Sequence, residues 1–138
     1  MRRVCLPLGL LAAACGEDGN FVVELGRLEF HNESARITAP SSAAPGESIR
    51  LEVLTYGGGC ISYAETKVFL MPDGADVMPY DRTNTTPGQV CTAELSYIAH
   101  EAAITFADPG PKLITVHGRR VSSRADEPIT IALTLLVE

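Results

Sequence analysis

The C-terminal segment "EPITIALTLLVE" places Ile129, Ile131, Leu133, Leu135 and Val137 at every second position, with Thr130, Ala132 and Thr134 among the residues between them. A period of two puts all five on one face of an extended chain and on no single face of a helix, so the segment specifies a half-buried β-strand. "ESIRLEVLTYGGG" repeats the pattern: Ile49, Leu51 and Val53 face one way, Arg50 and Glu52 the other, and the strand stops at the glycines. Between these two lie "YAETKVFLM", "GADVMPYD", "TAELSYI", "EAAITFADPG" and "KLITVHGRRV", with shorter candidates in "GRLEFHN" and "ARITAP".

No segment shows the long 3.6-period apolar stripe of a crossover helix, and "LSYIAHEAAITF" comes nearest to one. "APGES" and "ADPGPK" each set Pro-Gly just before a strand, and "PDGA" offers Asp73-Gly74 for a tight hairpin. A chain of 138 residues fits one domain. The expectation is an all-β, immunoglobulin-like antiparallel β-sandwich of about seven to nine short strands over residues 25–138. With no Trp in the chain, the buried Trp of antibody domains is missing, and antibody-style recognition loops are not carried over.

The N-terminus obeys different rules. From Val4 to Ala14 the chain is uncharged for 11 residues, roughly 16 Å as a helix, about half of a hydrocarbon core. Arg2 and Arg3, an apolar run and then Ala12, Ala13 and Ala14 have the layout of a cleaved secretory signal. Pro7 and Gly9 disfavour a buried helix as the alternative.

"LLAAAC" resembles the lipobox of bacterial lipoproteins, with Ala12 where that family prefers Leu. The resemblance implies a signal peptide over 1–14, lipidation (diacylglyceryl and palmitate) of Cys15 as the first mature residue, and a short tether over 15–24. It places the protein in the bacterial cell envelope, anchored to the membrane by lipid. Gly16 after the Cys directs it to the outer membrane; a secreted or periplasmic soluble form is the alternative. Multiple acyl chains, at about 0.8 kcal/mol per buried CH₂, hold a domain without help from surface charge. "TYGGGC", "VMPYD", "CTAELSYIAH" and "ITFADPGPKLITVHGR" further resemble small bacterial envelope lipoproteins over about residues 50–120, which implies a compact all-β domain and brings no activity with it.

On that reading Cys5 leaves with the signal and Cys15 is acylated, so Cys60 and Cys91 remain in an oxidising compartment and are expected to pair. Closing a 31-residue separation contributes roughly 3.5 to 4 kcal/mol in the chain-entropy model. A catalytic Cys60 with His100 or His117 as base is the competing role, but nothing basic flanks "YGGGCISYAE" to lower the thiol pKa.

Charge narrows the partners. Loss of residues 1–14 removes Arg2 and Arg3 from 11 cationic side chains and none of 17 acidic ones, moving the net charge from −6 to −8. Such a domain does not bind nucleic acid, which needs a basic patch. The chain contains no phosphate-binding loop, nucleophile elbow, HExxH or CxxC pair. Asp73, Asp76 and Asp81 are carboxylates without the spacing of a calcium loop, and His31, His100 and His117 are far apart in sequence. No cofactor, metal site or catalytic residue is expected, and the protein is not expected to be an enzyme. The favoured function is a structural or protein-interaction module of the envelope, acting through a sheet edge that accepts an added strand, of undetermined oligomeric state. The alternative is a metal or small-ligand binding protein, or weak hydrolase, using strand-end loops near 57–62, 72–81 and 98–101.

Overall fold

The computed structural model describes residues 20–138. The segment expected to be a signal peptide (1–14), Cys5, and Cys15 with its expected lipidation lie outside the described residues. Within them the fold is all-β: β1 (Phe21–Leu25), β2 (Phe30–His31), β3 (Ser34–Ala35), β4 (Ile37–Thr38), β5 (Ser42–Ala43), β6 (Ser48–Gly57), β7 (Ile61–Met71), β8 (Gly74–Asn84), β9 (Ser96–Thr105), β10 (Gly110–Val121) and β11 (Asp126–Val137). The alternation in "ESIRLEVLTYGGG" and "EPITIALTLLVE" becomes β6 and β11, with Ile49, Leu51, Val53, Leu135 and Val137 in the core. "LSYIAHEAAITF" is strand rather than helix. It joins two expected strands into the single β9, which pairs with β6 over its whole length.

The larger sheet runs β5-β11-β10-β8, with β7 along one side of β8 and β1 beside β10 on its other side; the smaller of the two main sheets is β4-β6-β9, and β2-β3 form a separate two-stranded ribbon. Leu51 and Val53 of β6, Ile104 of β9, Val77 of β8, Ile114 and Val116 of β10 and Leu135 of β11 share one hydrophobic cluster, so the two sheets close on a common core. That arrangement is consistent with a β-sandwich.

Four expectations need correction, the first being the strand count, which among the described residues is eleven where seven to nine were expected. The pairing is mixed rather than antiparallel throughout, because β8 lies parallel to β10 and β5 parallel to β11. The chain reaches β10 from β8 by way of β9 in the opposite sheet, and that detour reverses its direction twice. Within the segment 15–24, expected to be a tether, Phe21–Glu24 belong to β1 and pair with Asp81–Asn84. β10 accompanies β8 only as far as Val77, and β1 takes the ladder positions beyond it. The β7–β8 hairpin turns on Pro72 and Asp73, one residue earlier than Asp73-Gly74. Proline pre-sets the first central position of a type I turn. Gly74 is then needed for space, because a Cβ there would lie 2.0 Å from the Leu113 carbonyl oxygen of β10.

Pro79 marks the point where β8 exchanges one neighbour for another: the β10 ladder stops at Val77, and Gly26 N–H donates to the Pro79 carbonyl at 2.9 Å. A residue without an N–H fits there without costing a ladder bond. At the opposite extreme of order, the β2–β3 turn carries Asn32 and Glu33 at positive φ (49° and 67°), the conformation of a type I′ hairpin. The hydrogen bond from Arg120 and its charge hold the exposed Glu33 carboxyl below the usual carboxylate range.

Candidate functional site

The hairpin β7–β8 and the strand β9 bring three polar side chains together inside the fold. Thr66 and Asp81 lie on the core-facing side of the hairpin, where Thr66 is paired across from Pro79, and His100 points inward from the middle of β9. His100 is 0% and Asp81 4% exposed. His100 Nε2 meets Asp81 Oδ1 at 2.8 Å, and His100 Nδ1 meets Thr66 Oγ1 at 2.8 Å. With Nε2 donating to the carboxylate, Nδ1 of the neutral ring accepts the Thr66 hydroxyl proton. The Tyr63 ring covers the imidazole at a centroid distance of 4.9 Å.

Carboxylate, imidazole and hydroxyl in series are the parts of a hydrolase relay. Here the imidazole is wholly buried, and the depressions of about 350 Å³ lie elsewhere, lined by residues such as Leu70, Met71 and Phe106 or Ile49 and Ala102. What the chain does mechanically is plain. No β-ladder joins β7 to β9, and the Thr66–His100–Asp81 series ties the hairpin to the smaller sheet in place of one. The arrangement is tight: a Cβ on Gly26 would come within 2.5 Å of Thr55 Cγ2 and 2.6 Å of Asp81 Oδ2. Asp81 Oδ2 and Thr55 Oγ1 are buried without hydrogen-bond partners. Leaving such atoms unpaired costs stability, so removal of His100 would strip the Asp81 carboxylate of its remaining partner.

Beyond Thr66 the same strand behaves differently. Val68 pairs across from Val77 and Leu70 from Ala75, both partners fully buried, so Val68 and Leu70 occupy the core-facing side. Yet Val68, Phe69, Leu70 and Met71 are 36%, 53%, 59% and 44% exposed. The smaller sheet ends at β9, and among the described residues no strand beyond it covers this part of the hairpin. A depression bounded by Leu70, Met71, Pro72, Thr105, Phe106, Ala107 and Asp108 opens between the ends of β7 and β9. The far end of the hairpin is nonetheless held, because buried Lys112 donates from Nζ to the Pro72 carbonyl at 3.0 Å.

Backbone pairing leaves this edge open as well. Among the described residues β7 has a ladder partner only in β8. The hairpin closes on the pair Met71 and Gly74, and antiparallel pairing alternates, so Val68 and Leu70 direct their N–H and C=O groups away from β8. The edge therefore presents unpaired backbone beside four consecutive apolar side chains.

The sequence-derived candidates map as follows. Cys60, in the β6–β7 turn, is bridged to Cys91 in the 85–95 loop with Cα atoms 5.1 Å apart. Gly59 fits the same junction, because a Cβ there would meet Thr92 Oγ1 at 2.0 Å. The three aspartates do not converge: Asp73 is in the turn, Asp76 pairs with His117 at 3.1 Å, and Asp81 is inside with His100. His100 and His117 thus sit with different partners. Among the described residues no group of three or more His, Cys, Asp or Glu side chains is placed to hold a metal ion. Two of the three segments expected to be strand-end ligand loops are strand instead, since 74–81 lies in β8 and 98–101 in the middle of β9; they meet through Asp81 and His100, in the interior. Thr66, Tyr63 and the open edge were not singled out by sequence. The signal for the edge was present in "KVFLM", where alternation gives way to four apolar residues in succession.

Comparison of the chain with protein-family models, with curated proteins and with solved structures finds no match.

Proposed function

We propose that this is a lipid-anchored protein of the bacterial envelope, held to the outer membrane through Cys15, whose immunoglobulin-like domain is a non-catalytic protein-interaction module. Interaction takes place by strand addition at the free edge of β7. The observation that carries this reading is the run Val68–Met71, which among the described residues is exposed on both faces of a strand with a ladder partner on one side only. An added strand supplies main-chain partners for Val68 and Leu70 and covers their side chains, which is how extended segments are recognised at sheet edges. Long, flat, apolar edges favour uncontrolled association, and domains that do not use them blunt them. The anchor rests on the lipobox-like "LLAAAC", and the five residues 16–20 reach at most about 18 Å when extended, which keeps the domain near the bilayer.

Two measurements test the proposal. The intact mass of protein isolated from membranes is expected to show a lipid-shifted species beginning at Cys15 and lacking residues 1–14; an unmodified mass sinks the anchor. A photo-crosslinking residue at Leu70 is expected to capture protein in the envelope, while the same probe at Ser123, on the exposed β10–β11 turn, is not. Equal capture at both sites, or none at Leu70, removes the edge as the interaction site.

A further inference from the structure

We infer that the strand added to β7 is β7 of a second copy of this chain, antiparallel, with the two-fold axis passing at Phe69. The inference rests on strand addition at β7 as the mode of interaction and names its occupant. A two-fold axis makes an edge pair with itself, so the sequence must be self-complementary about one residue. Centring on Phe69 sets Val68 opposite Leu70 of the second copy, Leu70 opposite its Val68, and the two Phe69 residues opposite each other. Val68 and Leu70 are the residues whose backbone groups point outward, so each Val68–Leu70 pair makes the main-chain bonds of the new ladder. Phe69, whose backbone groups bond to β8, falls at the non-hydrogen-bonded position between them, where opposing side chains come closest and aromatic pairing is favoured.

Two registers nearer the start of β7 are poorer. Centring on Lys67 opposes two ammonium groups. Centring on Thr66 pairs Glu65 with Lys67 but needs the edge at Tyr63–Ala64, where the β7–β8 register shifts and Tyr63 covers His100. In the Phe69 register each Lys67 stands across from Met71 and no like charges meet. Lys67, whose ammonium lies 5.2 Å from the Tyr80 ring and 3.4 Å from Glu65, keeps those contacts on its own copy. A lysine on an edge strand normally discourages pairing; here it flanks the contact instead of occupying it.

The contact is short, and a short contact between domains of like net charge is weak in dilute solution. Anchoring both copies in one leaflet raises their effective concentration without adding a contact. Antiparallel pairing sends the two tethers out from opposite ends of the joined sheet, so the strands lie along the bilayer and not upright on it.

Cysteine scanning of the full chain in membranes tests the register. Phe69→Cys is expected to give a covalent dimer on mild oxidation, seen on a non-reducing gel, whereas Ser123→Cys stays monomeric. Val68→Cys with Leu70→Cys in one chain also crosslinks, and either alone does so more slowly. Leu70→Lys, at a position exposed enough to leave the fold intact, is expected to weaken association of the otherwise unaltered chain by at least about tenfold by sedimentation in detergent. Retention of the Cys60–Cys91 bridge by mass confirms that each variant is folded. No Phe69→Cys dimer, or one no faster than with Ser123→Cys, overturns the inference. If the Leu70 photo-probe then captures a different protein, strand addition stands and only the second copy fails; if it captures nothing, both fail.

Discussion

The two halves of β7 are made from one continuous strand and paired to one neighbour, yet they have opposite fates. From Ile61 to Thr66 the strand is tied down: the Cys60–Cys91 bridge fixes the turn before it, Tyr63 lies on His100, and Thr66 closes the series to Asp81. From Lys67 to Met71 the same core-facing side carries Val68 and Leu70 with nothing across from them but the end of β9 and a depression. The difference does not come from the hairpin, which pairs regularly from Glu65 to its turn. It comes from the opposite sheet, which has one strand too few to cover the whole hairpin and spends its one polar contact, His100, near the first half.

The largest break in that comparison is expected from His100→Ala. It leaves the Asp81 carboxylate buried with no partner on either oxygen and frees the Thr66 hydroxyl. Leaving a buried polar group unsatisfied costs about 1 to 3 kcal/mol, and more when the group is a carboxylate, so a loss of about 3 kcal/mol or more is expected. Chemical denaturation measures the loss, and hydrogen exchange is expected to show Ile61–Thr66 becoming as labile as Lys67–Met71. A loss below about 1 kcal/mol would show that the clamp is not what separates the halves. Next comes the bridge: Cys60→Ala with Cys91→Ala is expected to cost up to about 4 kcal/mol, mostly through the unfolded chain. Exchange within β7 should change less than in His100→Ala, because the disulfide holds the turn and the 85–95 loop and touches neither half of the strand directly.

Much of the frame was legible in the sequence for a physical reason: period-2 alternation is a property of the strand itself, so β6 and β11 could be read without knowing their neighbours. Pairing of Cys60 with Cys91 followed from counting cysteines once the lipobox resemblance had set Cys5 and Cys15 aside. The clamp was not legible, because Thr66, Asp81 and His100 come from three strands and nothing in "AETK", "MPYD" or "IAHE" marks them as neighbours. Parallel pairing of β8 with β10 escaped for a related reason, since strand direction depends on which sheet the intervening strand joins. "KVFLM" lay between these cases. Its loss of alternation is visible, but four apolar residues in a row read equally as a strand buried on both faces or one exposed on both, and only the width of the opposite sheet decides.

Thr66→Val is a finer probe of the first half. The side chain keeps its shape and loses the hydroxyl, so His100 Nδ1 is left buried without a partner. The expected cost is about 1 to 3 kcal/mol, clearly less than that of His100→Ala because the Asp81–His100 pair survives. A double-mutant cycle between Thr66→Val and His100→Ala should show strong coupling; additive losses would mean that the 2.8 Å contact contributes nothing to the clamp.

The smallest effect is expected four residues further on, on the same side of the same strand. Leu70 is 59% exposed, so Leu70→Ser removes apolar area of which most already faces water. Full burial of a leucine side chain is worth about 1.5 to 3 kcal/mol, and less than half of that is at stake here, so the monomer should lose less than about 1 kcal/mol. Measured at low concentration, Leu70→Ser and Thr66→Val together place both halves of β7 on one stability scale. Measured at high concentration the order changes for one of them: if Leu70 is covered by an added strand, its substitution becomes costly in the associated state and Thr66→Val does not gain by the same amount. A Leu70→Ser penalty that is large and independent of concentration would mean that the second half is already packed within a single chain, and the contrast between the halves would vanish.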